Sequence, residues 1–154
     1  MHNEQAANAE RAHWLGVMSR SQVGELEALA SALVSGIEFE RLRTPHVGLV
    51  MVRGRAGGTG TVFNLGEMTV ARASVRLPNG TVGHGYAQGR NQRQAEMAAV
   101  IDALLQQDDR RHDILTAVIE PLRKKAEARR LEKSRRAAAT RVEFFTVARG
   151  EDPE

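Results

Sequence analysis

Apolar residues fall on every second position from Thr69 to Leu77: Ala71, Ala73, Val75 and Leu77 share one face, and Arg72, Ser74 and Arg76 share the other. That period predicts a strand with one dry and one wet side. Leu77-Pro78-Asn79-Gly80 is turn chemistry, because proline presets φ and Asn-Gly tolerates positive φ. TVGHGYA then reads as the hairpin partner. Earlier, Ile37 and Phe39 alternate with Glu38 and Glu40 as a half-wet strand. After Thr44-Pro45, VGLVMV is apolar on both parities and suits an interior strand. RAGGTG (55–60) follows, then TVF, then NLGE as a further turn.

Helical spacing brackets these strands. Trp14, Leu15, Val17 and Met18 make a short apolar face, and Ser21 is a candidate N-cap for the stripe Leu26, Leu29, Ala30 and Leu33. Asn91 is placed to cap a helix carrying Met97, Ala98, Ile101, Leu104 and Leu105. A second helix gathers Leu115, Val118, Ile119 and Leu122, with Pro121 set to kink or restart it. Beyond it the apolar face thins, Glu132 and Arg136 are spaced for an i, i+4 pair, and RVEFFTV reads as a final strand. The order α-α-β-β-β-β-α-α-β predicts an α+β domain, an antiparallel sheet covered on one face by helices. Residues 1–122 form its body. Residues 123–154 form an arm of the same domain, a projecting basic helix with a terminal strand. Phe144 and Phe145 point to opposite sides of that strand, so burying both calls for cover from another chain.

Charge sharpens this division. The net charge is +3, yet from Arg123 to Arg141 nine Lys or Arg stand against two Glu, and the remainder is acidic. The basic segment has no interleaved aromatic to stack bases, which weighs against nucleic acid and for solvent or a protein face. With no cysteine in 154 residues, disulfides, zinc thiolates, thiol nucleophiles and cysteine-held iron–sulfur clusters are excluded. Nothing at the N-terminus resembles a signal peptide, and no run approaches the roughly 20 apolar residues of a membrane span, so a cytoplasmic protein is expected.

Candidate chemistry is sparse. RAGGTG lacks the lysine and following helix of a phosphate loop, and Phe63 stands where a dinucleotide fingerprint needs glycine. GHGYAQGR is a second near miss. A hairpin or bulge loop where chain meets chain is the favoured account of Gly57, Gly58, Thr59 and Gly60, with a backbone anion nest as the alternative. Arg72, Arg76 and Arg90 could clamp a polyphosphate, although a solvated sheet face carries more weight. His2, His13, His46, His84 and His112 show no metal spacing. Glu96 and Asp102 specify nothing by spacing, and Asp102 is expected to cap or pair locally. No catalytic, cofactor or metal residue is assigned.

In order and spacing, HWLGVMSR (13–20), RAGGTG, VRLPNGTVGHGYAQGR, AEMAAVIDALLQ and RVEFFTVARG resemble the PhnG family of the bacterial carbon–phosphorus lyase system. The basic stretch 123–136 matches no family motif. The resemblance implies a cytoplasmic hetero-oligomeric core with PhnH, PhnI and PhnJ, and the ATPase PhnL in the same pathway. There a phosphonate displaces adenine from MgATP, giving α-D-ribose 1-phosphonate 5-triphosphate. PhnI is the nucleosidase-like partner, and PhnJ is the radical subunit with the cluster. This chain would then be a non-catalytic or activating subunit that binds no cofactor itself. Direct contact with the triphosphate in a shared site, and a small nucleic-acid-binding module, stand as alternatives.

Overall fold

The computed structural model describes residues 2–139. Its elements run α1 (His2–Ser19), α2 (Glu25–Val34), β1 (Glu40–Arg55), β2 (Val62–Arg76), β3 (Val82–Gln88), α3 (Gln92–Leu105), α4 (Asp108–Ile114) and α5 (Glu120–Ala139). The sheet is antiparallel in the order β1-β2-β3, and the helices stack on one of its faces, so the fold is α+β as expected.

The centre of the molecule is α3. Every residue from Met97 to Leu105 is buried. A helix apolar all round must be covered all round, and here the sheet covers one side while α1, α2 and α4 cover the other. The sheet contributes Ala71, Ala73, Val75 and Leu77, the alternating face read from the sequence. The helix lies unusually close to β3. A Cβ on Gly83 would sit 2.0 Å from the Ala99 carbonyl oxygen, and one on Gly85 would sit 1.9 Å from that of Ala95. GHG is therefore a contact surface between strand and helix, which explains glycines that mimic a nucleotide fingerprint without being one.

The caps are local. The Asn91 side chain accepts the Gln94 N–H at 3.0 Å, as expected. Ser21 does not cap α2, which starts at Glu25 behind Gly24. Its hydroxyl instead donates to the Met18 carbonyl at 2.7 Å, closing the end of α1. The turn between β2 and β3 is as the sequence predicts, with Gly80 at φ 86 and its N–H bonded to the Leu77 carbonyl. Leu115–Ile119 forms a single π-helical turn in which the Glu120 N–H reaches back five residues to the Leu115 carbonyl. The break falls just ahead of Pro121, where the missing N–H and the ring bulk disfavour an ordinary α-helical turn.

Several strand expectations need correction. Ile37 and Phe39 precede β1 and pack, partly buried, against the core. VGLVMV is no interior strand: it lies in β1, an edge strand, where Val47, Leu49 and Met51 are exposed. NLGE is no turn, since β2 runs through it, with a register slip between Val52 and Arg53 absorbing one residue. Four predicted strands thus merge into three among the described residues, because TVF and the Thr69–Leu77 strand are one. β3 pairs β2 only from Val70 to Arg76. Beyond that line β1 and β2 continue as a two-stranded ribbon about 25 Å long. The terminal strand with Phe144 and Phe145 lies outside the described residues.

The basic helix also differs in where it parts from the body. Leu122 is buried, and Arg129 binds Glu25 of α2 at 2.6 Å. α5 is therefore docked through Arg129, and the stretch from Leu131 to Ala139 is the exposed one. Its Glu132–Arg136 pair is present as spaced.

Candidate functional site

Four regions gather the polar residues: the free edge of β3, the open face of the sheet, the ribbon tip, and a cleft between α1 and α5.

At the free edge of β3 the buried carboxylate of Asp102 accepts hydrogen bonds from Arg11, Trp14 and His84, with a longer one from Gln106 Nε2 at 3.5 Å. Arg11 donates from Nε at 3.1 Å and from Nη2 at 2.7 Å, Trp14 Nε1 at 2.8 Å, and the His84 backbone N–H at 2.9 Å. One turn on, Gln106 donates to the Val82 carbonyl at 2.9 Å. An edge strand must have its backbone groups covered or paired, and Asp102 of α3 and Gln106, four residues on at its C-terminal cap, do that for β3. Asp102 is therefore neither a local cap nor an isolated acid. It joins α1, α3 and β3, and burial of its charge is tolerated because an opposite charge and neutral donors surround it. The sequence signal was an acid inside a helix that is apolar on all sides.

The open face carries the arginines singled out from the sequence. Register places His46, Arg72 and Tyr86 in one row across the three strands, with Ser74 and His84 in the neighbouring row. Arg72 Nε donates to His46 Nε2 at 2.8 Å, while His46 Nδ1 lies 3.2 Å from the Thr44 carbonyl. These contacts fix a neutral imidazole with its proton on Nδ1. Ser74 Oγ and His84 Nδ1 are 2.9 Å apart. Arg76, at the far end of the strand face, binds Glu40 at 3.3 Å. Arg90 lies beyond β3, just after Gly89, whose N–H meets the Thr69 carbonyl at the opposite end of the row. The three arginines are thus spread along the sheet, and one of them is already ion-paired. His46 escaped sequence reasoning because only the strand register brings it to Arg72.

At the ribbon tip, Gly57 and Gly58 adopt φ 58 and φ 82 with no atom within 4 Å of a built Cβ. Their glycines serve backbone conformation, not crowding. Gly60 is the crowded one, its Cβ position lying 2.6 Å from the Ala56 carbonyl oxygen. Thr59 is exposed between them, and Arg55 Nη1 donates to the Gly60 carbonyl at 3.3 Å, closing the tip. The tip is a hairpin loop followed by strand. Below it Leu49, Met51, Phe63 and Leu65 are exposed, Leu65 at 65%.

On the opposite side of the body, a cleft of about 560 Å³ between α1 and α5 is lined by Val17 and Ala126 with Arg20, Arg123, Arg129 and Arg130 around them. Glu120 binds Arg123 at 2.8 Å, and this bond holds the Glu120 carboxyl below its usual range. Glu25 is also held low. Burial alone would push it up, but the Gln22 N–H and Arg129 outweigh that. No cluster that could hold a metal ion occurs among the described residues, and no helix there is long and apolar enough to cross a membrane.

The described residues thus form an α+β unit, a three-stranded antiparallel sheet backed by helices, with a two-stranded ribbon whose apolar side chains are exposed. Residues 9–150 match the family model described as phosphonate metabolism protein PhnG. The chain is similar to the alpha-D-ribose 1-methylphosphonate 5-triphosphate synthase subunit PhnG of Rhizobium meliloti (strain 1021), with 42% identity over 150 residues, covering 97% of this chain and 96% of that protein. The chain belongs to the PhnG family of phosphonate metabolism proteins.

Proposed function

We propose that this protein is a subunit of an alpha-D-ribose 1-methylphosphonate 5-triphosphate synthase and that its role there is architectural. The observation that carries the subunit role is the end-to-end similarity to a protein of that name. The architectural part draws on the ribbon, whose Leu49, Met51, Phe63 and Leu65 face water in the isolated chain. Exposed apolar surface concentrated on one projecting element marks an interaction site.

In this reading the chain assembles with PhnH, PhnI and PhnJ, most directly with the nucleosidase-like PhnI, and PhnL acts in the same pathway. MgATP is used by the complex, in which a phosphonate displaces adenine. The reacting groups belong to the partner subunits. The state of the polar residues supports this. Asp102 is consumed by the fold, and the Ser74–His84 pair has no carboxylate behind the imidazole among the described residues.

Co-expression with PhnI tests the proposal. The expected result is a stable hetero-oligomer by intact-mass measurement, with a higher unfolding temperature than the isolated chain. A well-folded monomer whose mass and stability are indifferent to PhnI would refute it.

A further inference from the structure

We propose that the open face of the sheet holds a binding site for a tetrahedral phosphoryl or phosphonyl oxyanion, centred on Arg72 and completed by Ser74, His84 and Tyr86. This goes beyond the architectural role and does not rest on it.

The argument begins with how Arg72 is held. Several arginines fixed by side-chain bonds, Arg11, Arg41 and Arg76 among them, end on carboxylates. Arg72 instead gives its Nε–H to a neutral imidazole, and no carboxylate among the described residues pairs with it. The guanidinium is therefore oriented without being neutralised. His46 is in turn fixed by the Thr44 carbonyl at 3.2 Å. Gly48, one pleat along, has its Cβ position 3.4 Å from Arg72 Nη2, so the guanidinium lies across the strand where a larger residue would displace it. A planar fork anchored at Nε leaves its terminal N–H groups to bind a ligand, the arrangement in which arginine recognises phosphate.

The neighbours supply the rest. Tyr86 stands directly across from Arg72 and is 43% exposed. Ser74 is one pleat along the same strand face, linked to the exposed His84. These donors reach across two strands, with diagonal neighbours about 7–8 Å apart. A carboxylate presents two oxygens close together and one charge. A phosphoryl group presents three oxygens in diverging directions and up to two charges, and so meets more of this set. The shared chemistry covers inorganic phosphate, a phosphate ester and a phosphonate.

The test is titration of the full chain at low ionic strength, alone and assembled with its partner chains. The probes are inorganic phosphate, methylphosphonate, tripolyphosphate and ATP, followed by chemical shifts of arginine Nε and histidine nuclei. The expected result is saturable binding centred on the Arg72 and His84 signals. It should weaken about tenfold or more in Arg72→Gln, by less in Arg72→Lys, and by no more than about twofold in Arg76→Gln. If Arg72→Gln does not fold, the double variant Ser74→Ala/Tyr86→Phe replaces it, with an expected loss of about tenfold. Phosphate equal to tripolyphosphate and ATP identifies a single-phosphoryl site, and a strong preference for the latter two identifies a polyphosphate chain. Three results would overturn the proposal: no saturable binding of any probe, equal affinity in Arg72→Gln and wild type, or loss of subunit assembly in Arg72→Gln with anion affinity unchanged. The last would place a partner's carboxylate on Arg72.

Discussion

The buried carboxylate of Asp102 accepts the backbone N–H of His84 at 2.9 Å, while the ring of the same histidine meets Ser74 on the open face of the sheet. One residue thus joins the core to the surface proposed to bind an oxyanion. Asp102→Ala leaves the Trp14 and His84 N–H groups without their acceptor and Arg11 without its counter-charge. A loss of about 3–5 kcal/mol is expected, measured by urea unfolding. Asp102→Asn keeps the shape and loses the charge, and should fall between that variant and wild type.

Close packing of strand on helix gives the sharpest contrast between two kinds of glycine. Gly85→Ala would put a methyl 1.9 Å from the Ala95 carbonyl oxygen and 2.5 Å from the Ala99 nitrogen, both backbone atoms that cannot swing aside. A cost of about 3 kcal/mol, or roughly 6–12 °C in Tm, is expected in a thermal melt. Gly66, in the ribbon, has nothing within 4 Å of its Cβ position and no positive φ. Gly66→Ala should be neutral, or stabilise by about 0.5 kcal/mol through the unfolded chain.

Acid should loosen α5. The Glu25 carboxyl is held below its usual range because the Gln22 N–H and Arg129 together outweigh the upward push of burial. A carboxyl depressed in the folded state contributes stability that is complete above its unfolded value, about 4.3, and is lost as pH falls through the lower folded value. Protection factors for amides 126–130 are therefore expected to hold from pH 7 to pH 5 and to drop as the solution is taken to pH 3. In Glu25→Gln they should be reduced already at pH 7, with that acid step missing.

The ribbon separates stability from assembly. Leu49 and Leu65 are 58% and 65% exposed, so Leu49→Ser/Leu65→Ser should change the unfolding free energy of the isolated chain by no more than about 0.5 kcal/mol per site. The same double variant should reduce recovery of PhnI in a pull-down by about tenfold or more. Undiminished recovery would place the interface elsewhere.

What could be read beforehand followed from local patterns. The alternating face of Ala71 to Leu77, the Pro-Asn-Gly turn, the Asn91 cap and the Glu132–Arg136 spacing are each set by residues a few positions apart, and each stands as read. The errors arise where distant contacts decide. VGLVMV looks interior because both parities are apolar, yet its apolar surface faces outward from an edge strand. NLGE has turn composition but is held in β2 by pairing with β1. Asp102 shows nothing of Arg11 or Trp14, some 90 positions earlier, and His46 shows nothing of Arg72 until the strands are registered. Of the site, the glycine tip and the sheet-face arginines could be picked out by residue type. Their division into a conformational tip, an ion-paired Arg76 and a poised Arg72 came only from the fold.

β2 leaves the ribbon and enters the core without a break, its outer half held only by β1 and its inner half fastened beneath α3. Arg72 sits two residues inside that boundary. A stiff lever clamped at one end transmits its tilt to the clamp, so a protein gripping the glycine tip would also turn the guanidinium at the base. Grasp at one end and oxyanion affinity at the other would then be mechanically coupled through a single stretch of backbone.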